Sequence, residues 1–139
     1  MCVSVHALNW LPRCRSGKTY TMYGDLHDEH RRGLIPRSLD LIFAGLEDKA
    51  RHGCTARLQV TLIEIYNEQV IDLLGGDARV LQLREHPATG NVYVEGARVV
   101  QVQTAQETMA LVDAGAVRRT VAATGANDAS SRSHCILTL

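Results

Sequence analysis

Two short segments, far apart along the chain, carry residue types that handle phosphate. The first is Ser16-Gly17-Lys18-Thr19, which has the order found at the end of a phosphate-binding loop. In such a loop, backbone N–H groups point at anionic oxygens, a lysine binds the β- and γ-phosphates, and a hydroxyl binds Mg²⁺. A helix that follows directly adds the positive end of its dipole. Because four residues recur by chance, an ordinary helix start is the alternative interpretation.

The front half of this loop departs from the full pattern G-x-x-x-x-G-K-[ST]. Counting back from Gly17 places the first glycine at position 12, where the chain has Pro12. Proline has no N–H and a fixed φ, so it cannot replace that glycine. The sequence therefore leaves two alternatives open, a loop that binds nucleotide and a loop that has lost this ability.

The second segment, residues 127–134, is rich in hydroxyl groups. It contributes one amide, three hydroxyls and one guanidinium, from Asn127, Ser130, Ser131, Ser133 and Arg132. Such groups can contact a γ-phosphate, a Mg²⁺-bound water and an attacking water, and the arginine can pair with a carboxylate elsewhere. A solvated turn is the alternative interpretation of a serine-rich segment.

Helical patterns predict the elements that hold these segments. One helix is expected to begin at Gly33-Leu-Ile-Pro36, and its apolar residues share a face that we expect in the core. That face consists of Leu39, Ile42, Phe43, Leu46 and Ala50. A capping box of Thr104 and Glu107 predicts a second helix that runs to about Arg119.

Strand patterns alternate with these helices, which predicts an α/β layer architecture. The run Leu58–Ile65 is apolar on both faces and predicts a strand covered on both sides. Val70–Leu74 predicts a short strand or turn, and Val80–Leu83 with Val92–Val94 predicts a hairpin with a longer loop. After a polar loop over residues 120–133, the chain is expected to end in a strand, Cys135–Leu139.

Composition limits the classes of partner. The 139 residues amount to about one domain, and 15 basic residues balance 15 acidic ones, so net charge gives no sign of nucleic-acid or membrane binding. No tract is long enough to span a bilayer, and the start lacks the features of a signal peptide. The four cysteines form no C-x-x-C pair and indicate free thiols in a reducing cytoplasm.

The string N-x-x-S-S-R-S-H at residues 127–134 resembles the switch I signature of the kinesin motor superfamily. Three further segments are similar to kinesin segments in the same order: SGKTYTM at Ser16–Met22, GLIPR at Gly33–Arg37 and IEIYNEQVIDLL at Ile63–Leu74. The resemblance covers residues 16–139, whereas residues 1–15 form a non-matching segment. Leu83–Glu85 bears a faint similarity to the kinesin-8 branch.

The resemblance implies an α/β fold, a partial kinesin-type P-loop NTPase motor domain with a central mixed sheet flanked by helices, truncated at both ends. The first strand, the glycine-bearing half of the phosphate loop and the switch II motif have no counterpart in this sequence. The implied activity is an ATPase that uses Mg²⁺ and is stimulated by microtubules, its partner. The implied location is the cytoplasm, on the cytoskeleton.

By motif position, the resemblance assigns the nucleotide-binding residues. Ser16 and Gly17 belong to the loop, Lys18 binds the β- and γ-phosphates, and Thr19 coordinates Mg²⁺. Tyr20 falls where the family often has an aromatic residue near the base.

The same resemblance assigns roles within residues 127–132, which we call the sensor segment. Ser130 and Ser131 report the γ-phosphate and help to place water, with Ser131 also at the metal. Asn127 supports that loop, and Arg132 pairs with the glutamate of switch II. The hairpin Arg84–Val94 falls at a tubulin contact of the family, and a plain surface loop is the alternative there.

Three functions are compatible with these patterns. The chain is a piece of an ATP-driven microtubule motor, or it is a non-catalytic remnant with little ATPase or motility of its own. Pro12 and the missing switch II favour the remnant, and the switch-like loop favours the motor. An unrelated P-loop NTPase is less supported, because the IEIYNE and SSRSH segments would then be coincidences.

Overall fold

The computed structural model describes residues 17–26, 28–76, 79–123 and 133–139. The helices in these ranges are α1 (Lys18–Tyr23), α2 (Leu34–Arg51) and α3 (Ala105–Ala123), with a 3₁₀ turn at Glu29–Arg31. The strands are β1 (Leu58–Tyr66), β2 (Gln69–Asp72), β3 (Val80–Glu85), β4 (Val92–Glu95), β5 (Val100–Val102) and β6 (Ser133–Thr138). Across the described ranges, we find no helix with the length and apolarity needed to cross a membrane.

The described strands form one antiparallel sheet around β1. Their order is β4-β3-β2-β1-β5, and β6 also pairs with β1. Residues 61–66 of β1 pair with β6, while residues 63–66 pair with β2, so these two neighbours lie on opposite edges of β1. With helices packed against this sheet, the predicted α/β architecture is confirmed.

Both faces of β1 are covered, as its apolar pattern predicts. Val60 and Leu62 point to the helices, where they share a core with Tyr23, Leu39, Val112 and Cys135. Ile63 points to the opposite face and packs with Val70 and Leu81. Because side chains alternate along a strand, Glu64 points to the same face of the sheet as Leu62, the face that the helices cover.

The apolar face of α2 is only partly in the core. Leu39 is fully buried and Phe43 packs against the core cluster, while Ile42 and Leu46 are half-buried. Ala50 is exposed, contrary to expectation, because it lies in the last turn of α2.

The predicted capping box forms at the start of α3, except that the Glu107 carboxylate binds the N–H of Gln103 instead of the N–H of Thr104. The Glu107 N–H donates to the Thr104 hydroxyl at 3.0 Å, and the Glu107 carboxylate accepts from the Gln103 N–H at 2.8 Å. The helix runs to Ala123, four residues beyond the predicted end at Arg119, so the polar loop predicted from residue 120 begins later.

Two glycines join α1 to α2 by close backbone contact. Gly24 forms an antiparallel bridge with Arg32, and the Gly33 N–H donates to the Tyr23 carbonyl at 2.8 Å. A Cβ on Gly24 would stand 2.3 Å from the Gly33 nitrogen, so no larger residue fits. The polar segment between Gly24 and Gly33 therefore starts and ends at neighbouring backbone positions, and these contacts hold α1 against α2.

Candidate functional site

The phosphate-loop end of the chain turns into α1 at Gly17. Gly17 has φ +72°, a left-handed conformation that glycine adopts without a steric penalty. Its carbonyl accepts from the Thr21 N–H at 2.9 Å and from the Thr21 hydroxyl at 3.1 Å. Among the described residues, no atom lies within 4 Å of the position that a Gly17 Cβ would take.

Other predicted residues of this end are described only in part. Thr19 is half-buried on α1, and Tyr20 is 57% exposed. The structure places the backbone of Lys18 in the first turn of α1, but its side chain lies outside the described part, as does Ser16.

The predicted sensor residues also lie outside the described ranges: Asn127, Ser130, Ser131 and Arg132. Two described elements, α3 and β6, flank these residues along the chain. Before them α3 is described as far as Ala123, and after them β6 begins at Ser133.

One guanidinium joins both ends of that segment to β1. Arg119 on α3 donates from Nε to Glu64 Oε1 at 2.7 Å. Its Nη2 donates to the Ser133 hydroxyl and, at 3.4 Å, to the Ser133 carbonyl. Arg119 precedes the sensor segment and Ser133 follows it, so the two ends are fixed to each other and to the central strand.

This network is buried, and its three residues are 7%, 5% and 2% exposed for Arg119, Glu64 and Ser133. A charge removed from water is costly unless it is paired and hydrogen-bonded, and a planar guanidinium can satisfy several acceptors at once. Ser133 was predicted as a hydroxyl of the polar loop. Instead it begins β6, where its hydroxyl accepts a hydrogen bond from Arg119 Nη2.

The pKa of the buried cysteine of β6 is shifted by burial and by the charges of Arg119 and Glu64. Cys135 lies opposite Glu64 in the register of β1 and β6. Burial raises the pKa of the Cys135 thiol to about 11; the charge of Arg119 opposes this and that of Glu64 adds to it. The thiol is therefore protonated at neutral pH and is a packing residue, not a nucleophile.

Tyr23 connects the phosphate end of the chain to this network. It ends α1 and belongs to the same buried cluster as Cys135. Burial raises the pKa of its phenol well above the usual range, the charges of Asp113 and Cys135 raise it further, and Arg119 lowers it. The helix that starts with Lys18 and Thr19 thus packs into the core that holds the strand after the sensor segment.

Sequence reasoning missed Arg119, Glu64 and Tyr23 as site residues. The signal for Glu64 was a single acidic residue within an otherwise apolar strand, a position that requires a partner. For Arg119 the only signal was its place near the end of a helix that precedes a polar loop. Neither signal identifies the partner, because 55 residues separate the two along the chain.

The β3–β4 hairpin forms as predicted, and its basic residue is already paired. Arg84 Nε donates to Glu95 Oε2 at 2.9 Å, and this hydrogen bond raises the pKa of the Arg84 guanidinium. On the other face, Leu83 and Val92 are 58% and 67% exposed. The hairpin therefore presents apolar side chains to solvent.

Comparison with known proteins gives one consistent result. The model of the family described as "Kinesin motor domain" matches residues 13–139. Kinesin-like protein KIN-14N of Oryza sativa subsp. japonica is 40% identical over 133 residues, which cover 89% of this chain and 17% of that protein. Kinesin-like protein KIF16B of Mus musculus is 44% identical over 128 residues, which cover 89% of this chain and 10% of that protein.

A solved structure agrees with these sequences. It is described as a fast kinesin, with implications for its ATPase mechanism and its interactions with microtubules. Its TM-score to this chain is 0.74 at 35% identity, over 90% of this chain and 35% of that one. The chain therefore spans less than a fifth of the two relatives and about a third of this structural neighbour.

Proposed function

This chain belongs to the kinesin motor domain family, and we propose that it serves as part of a microtubule motor that hydrolyses Mg²⁺-ATP in the cytoplasm. The observation that carries the proposal is the shared core of α1 and β6, which brings the Lys18–Thr19 turn toward the strand that follows the sensor segment. ATP supplies the γ-phosphoryl group and Mg²⁺ neutralises its charge.

The described part of the phosphate loop fits such a nucleotide. Gly17 has the left-handed conformation, and the first N–H groups of α1, which a helix leaves without internal partners, are available to an anion. Lys18 then binds the β- and γ-phosphates, Thr19 orients the metal, and Tyr20 lies near the base. These roles follow from motif position in the family.

For the sensor segment we propose that Arg119 is a positioning residue. Ser130 and Ser131 face the γ-phosphate and the metal, and Asn127 supports their loop. Arg132 would pair with the glutamate of switch II, a motif that has no counterpart in this sequence. Their placement depends on where the loop starts and ends, and the bonds from Arg119 to Glu64 and Ser133 set both points.

A titration with Mg²⁺-ATP tests the nucleotide proposal. We expect saturable binding that requires Mg²⁺ and that Lys18→Ala weakens about 10–100-fold, the loss of a charged hydrogen bond to phosphate. Lys49→Ala is the matched control, because Lys49 is an exposed lysine in the last turn of α2. Absence of Mg²⁺-dependent binding by the unmodified chain would contradict the proposal and favour the non-catalytic remnant, which Pro12 supports.

We further propose that the β3–β4 hairpin contacts microtubules mainly through apolar side chains. Arg84 is paired with Glu95, so the exposed Leu83 and Val92 are the groups left to gain from burial. In a microtubule pelleting assay, Leu83→Ser should reduce the bound fraction. Leu41→Ser, which alters a leucine that is 76% exposed on α2, should leave it unchanged. Equal losses for both variants would contradict the assignment.

A further inference from the structure

The chain segments on either side of the β3–β4 hairpin meet at one point, which we call the hairpin base. It consists of residues 73–75, which follow β2, and Arg98, which follows β4. Asp72 joins the two segments, because its Oδ1 accepts from the N–H groups of Leu74 at 2.8 Å and Gly75 at 3.1 Å, and its Oδ2 accepts from the Arg98 N–H at 2.8 Å. This carboxylate is buried, so the two segments are held together away from water.

Leu73 attaches the hairpin base to β1 and to α3. Its N–H donates to the Leu62 carbonyl of β1 at 2.9 Å, and its carbonyl accepts from Arg118 Nη1 of α3 at 2.7 Å. The Leu73 side chain is buried in the core that also contains Leu62. A short hydrogen bond from a charged donor is among the stronger ones in proteins, so the Arg118 bond is the notable attachment to the helix.

The close approach of α3 at Gly115 allows Arg118 to reach this carbonyl. A Cβ on Gly115 would stand 3.4 Å from Leu73 Cβ, so the helix lies directly against Leu73 at this point. Residues three apart on a helix are neighbours on its surface, which places Arg118 on the same side as Gly115. The next residue, Arg119, binds Glu64 and Ser133 instead. Two consecutive arginines of α3 therefore hold different parts of the sheet.

We propose that Arg118 is a positioning residue, which holds the hairpin base on α3 and so sets the direction in which the hairpin presents Leu83 and Val92. The functional meaning of this role rests on the microtubule contact proposed above for those side chains. A segment already held in its binding conformation loses less conformational entropy when a partner binds. Without the bond from Arg118, the hairpin gains freedom that binding has to remove.

Amide hydrogen exchange on the free chain tests the attachment without any partner. Arg118→Met should speed exchange of the amides of the hairpin base about tenfold, through the loss of one charged hydrogen bond. The Gly33 amide, which donates to the Tyr23 carbonyl at the contact of α1 with α2, should keep its rate. Arg118→Lys should restore most of the protection, because one N–H donor suffices for one carbonyl.

Three results of this exchange experiment would overturn the proposal. Unchanged rates at the hairpin base in Arg118→Met would show that the bond to Leu73 holds nothing in place. Equal acceleration at Gly33 would show a general loss of stability. A lysine variant as fast as Arg118→Met would show that the packing of the arginine stem, and not its hydrogen bond, is responsible.

Microtubule pelleting tests the consequence for binding. Arg118→Met should weaken binding about three- to tenfold, the cost of ordering a loosened segment. In a Leu83→Ser background it should have little further effect, because the hairpin contact is already impaired. Arg37→Met is the matched control, since it removes an exposed arginine of α2 and should change binding less than twofold.

The two assays separate the positioning role from the microtubule contact. Equal weakening by Arg118→Met with and without Leu83→Ser would show that Arg118 contacts the microtubule directly, and would overturn the positioning role. No pelleting of the unmodified chain would contradict the microtubule contact itself. The exchange rates then decide by themselves whether Arg118 holds the hairpin on α3.

Discussion

The guanidinium of Arg119 and the carboxylate of Glu64 form the only buried ion pair among the described residues, with Nε 2.7 Å from Oε1. Their side chains are 8% and 7% exposed, whereas every other ion pair in these ranges has at least one partner more than 40% exposed. The pair spans α3 and β1, and Ser133 extends it to β6. Three elements around the sensor segment therefore depend on one side chain.

Replacing Arg119 should destabilise the chain strongly. Arg119→Met leaves Glu64 buried without its cation and Ser133 without its donor, so we expect a loss of about 3–5 kcal/mol in the free energy of unfolding. Urea unfolding followed by circular dichroism measures it. The double variant with Glu64→Leu should recover part of this loss, because it removes the stranded carboxylate as well.

The exposed pair Arg84–Glu95 is the control for that experiment. Its side chains are each 53% exposed, so Arg84→Met should cost far less stability than Arg119→Met. If the two arginine variants lost similar amounts, burial would not be the source of the effect. A double variant no more stable than Arg119→Met alone would likewise contradict the coupling between Arg119 and Glu64.

A second prediction concerns the contact of α3 with β1 at Gly115. A Cβ at this position would stand 2.3 Å from Leu62 Cδ2 and 3.4 Å from Leu73 Cβ, so the buried Leu62 side chain would have to leave its position or helix and strand would have to move apart. Gly115→Ala should therefore destabilise the chain by about 1–3 kcal/mol, although alanine is the better helix former. Thermal and urea unfolding both report this change.

At Gly45 on α2, by contrast, we expect the same substitution to stabilise the chain. No atom lies within 4 Å of its hypothetical Cβ, so Gly45→Ala should stabilise the chain by up to about 1 kcal/mol. Opposite signs for the two variants would confirm close packing of α3 on β1. Stabilisation by Gly115→Ala would show that this interface has room for a methyl group.

The sequence predicted the local elements well, because local signals define them. The capping box at Thr104, the turn residues of the β3–β4 hairpin and the apolar run on both faces of β1 are all patterns within a few residues. By contrast, β5 has three residues and forms only by pairing with β1, so nothing in its own sequence marks it.

The residue types of the two segments indicated phosphate chemistry, and the individual roles came from the resemblance and stay predictions. The motif positions came from Gly17 to Tyr20 and from the serine-rich segment, while Arg119 and Glu64 meet only after the sheet has formed. The extension of α3 to Ala123 was not predicted for the same reason. Arg118 and Arg119, in the last turns of the helix, bind groups that are distant along the chain. Such long-range partners leave no periodic pattern in the sequence.

Stability should fall at alkaline pH through Cys135. Its thiol has a pKa of about 11 in the folded chain against an ordinary 9.0, so the folded state holds a proton that the unfolded state releases. The contribution is fully present below pH 9 and is lost as pH rises to 11, by about 2–3 kcal/mol. Cys135→Ala should flatten this slope in urea titrations, and Cys54→Ala, at an exposed cysteine, should not. An unchanged slope in Cys135→Ala would contradict the assignment.

Asp72 should be the most sensitive residue at the base of the hairpin. Its carboxylate accepts three backbone N–H groups, and an asparagine would turn two of its own donors toward at least one of them. Asp72→Asn should therefore cost about 1–3 kcal/mol and speed amide exchange at Leu74 and Arg98. Asp28, whose exposed carboxylate accepts from the His30 N–H at 3.0 Å, is the control, and Asp28→Asn should cost well under about 1 kcal/mol. Equal costs at the two sites, with no change in exchange at Leu74, would mean that Asp72 does not hold this turn.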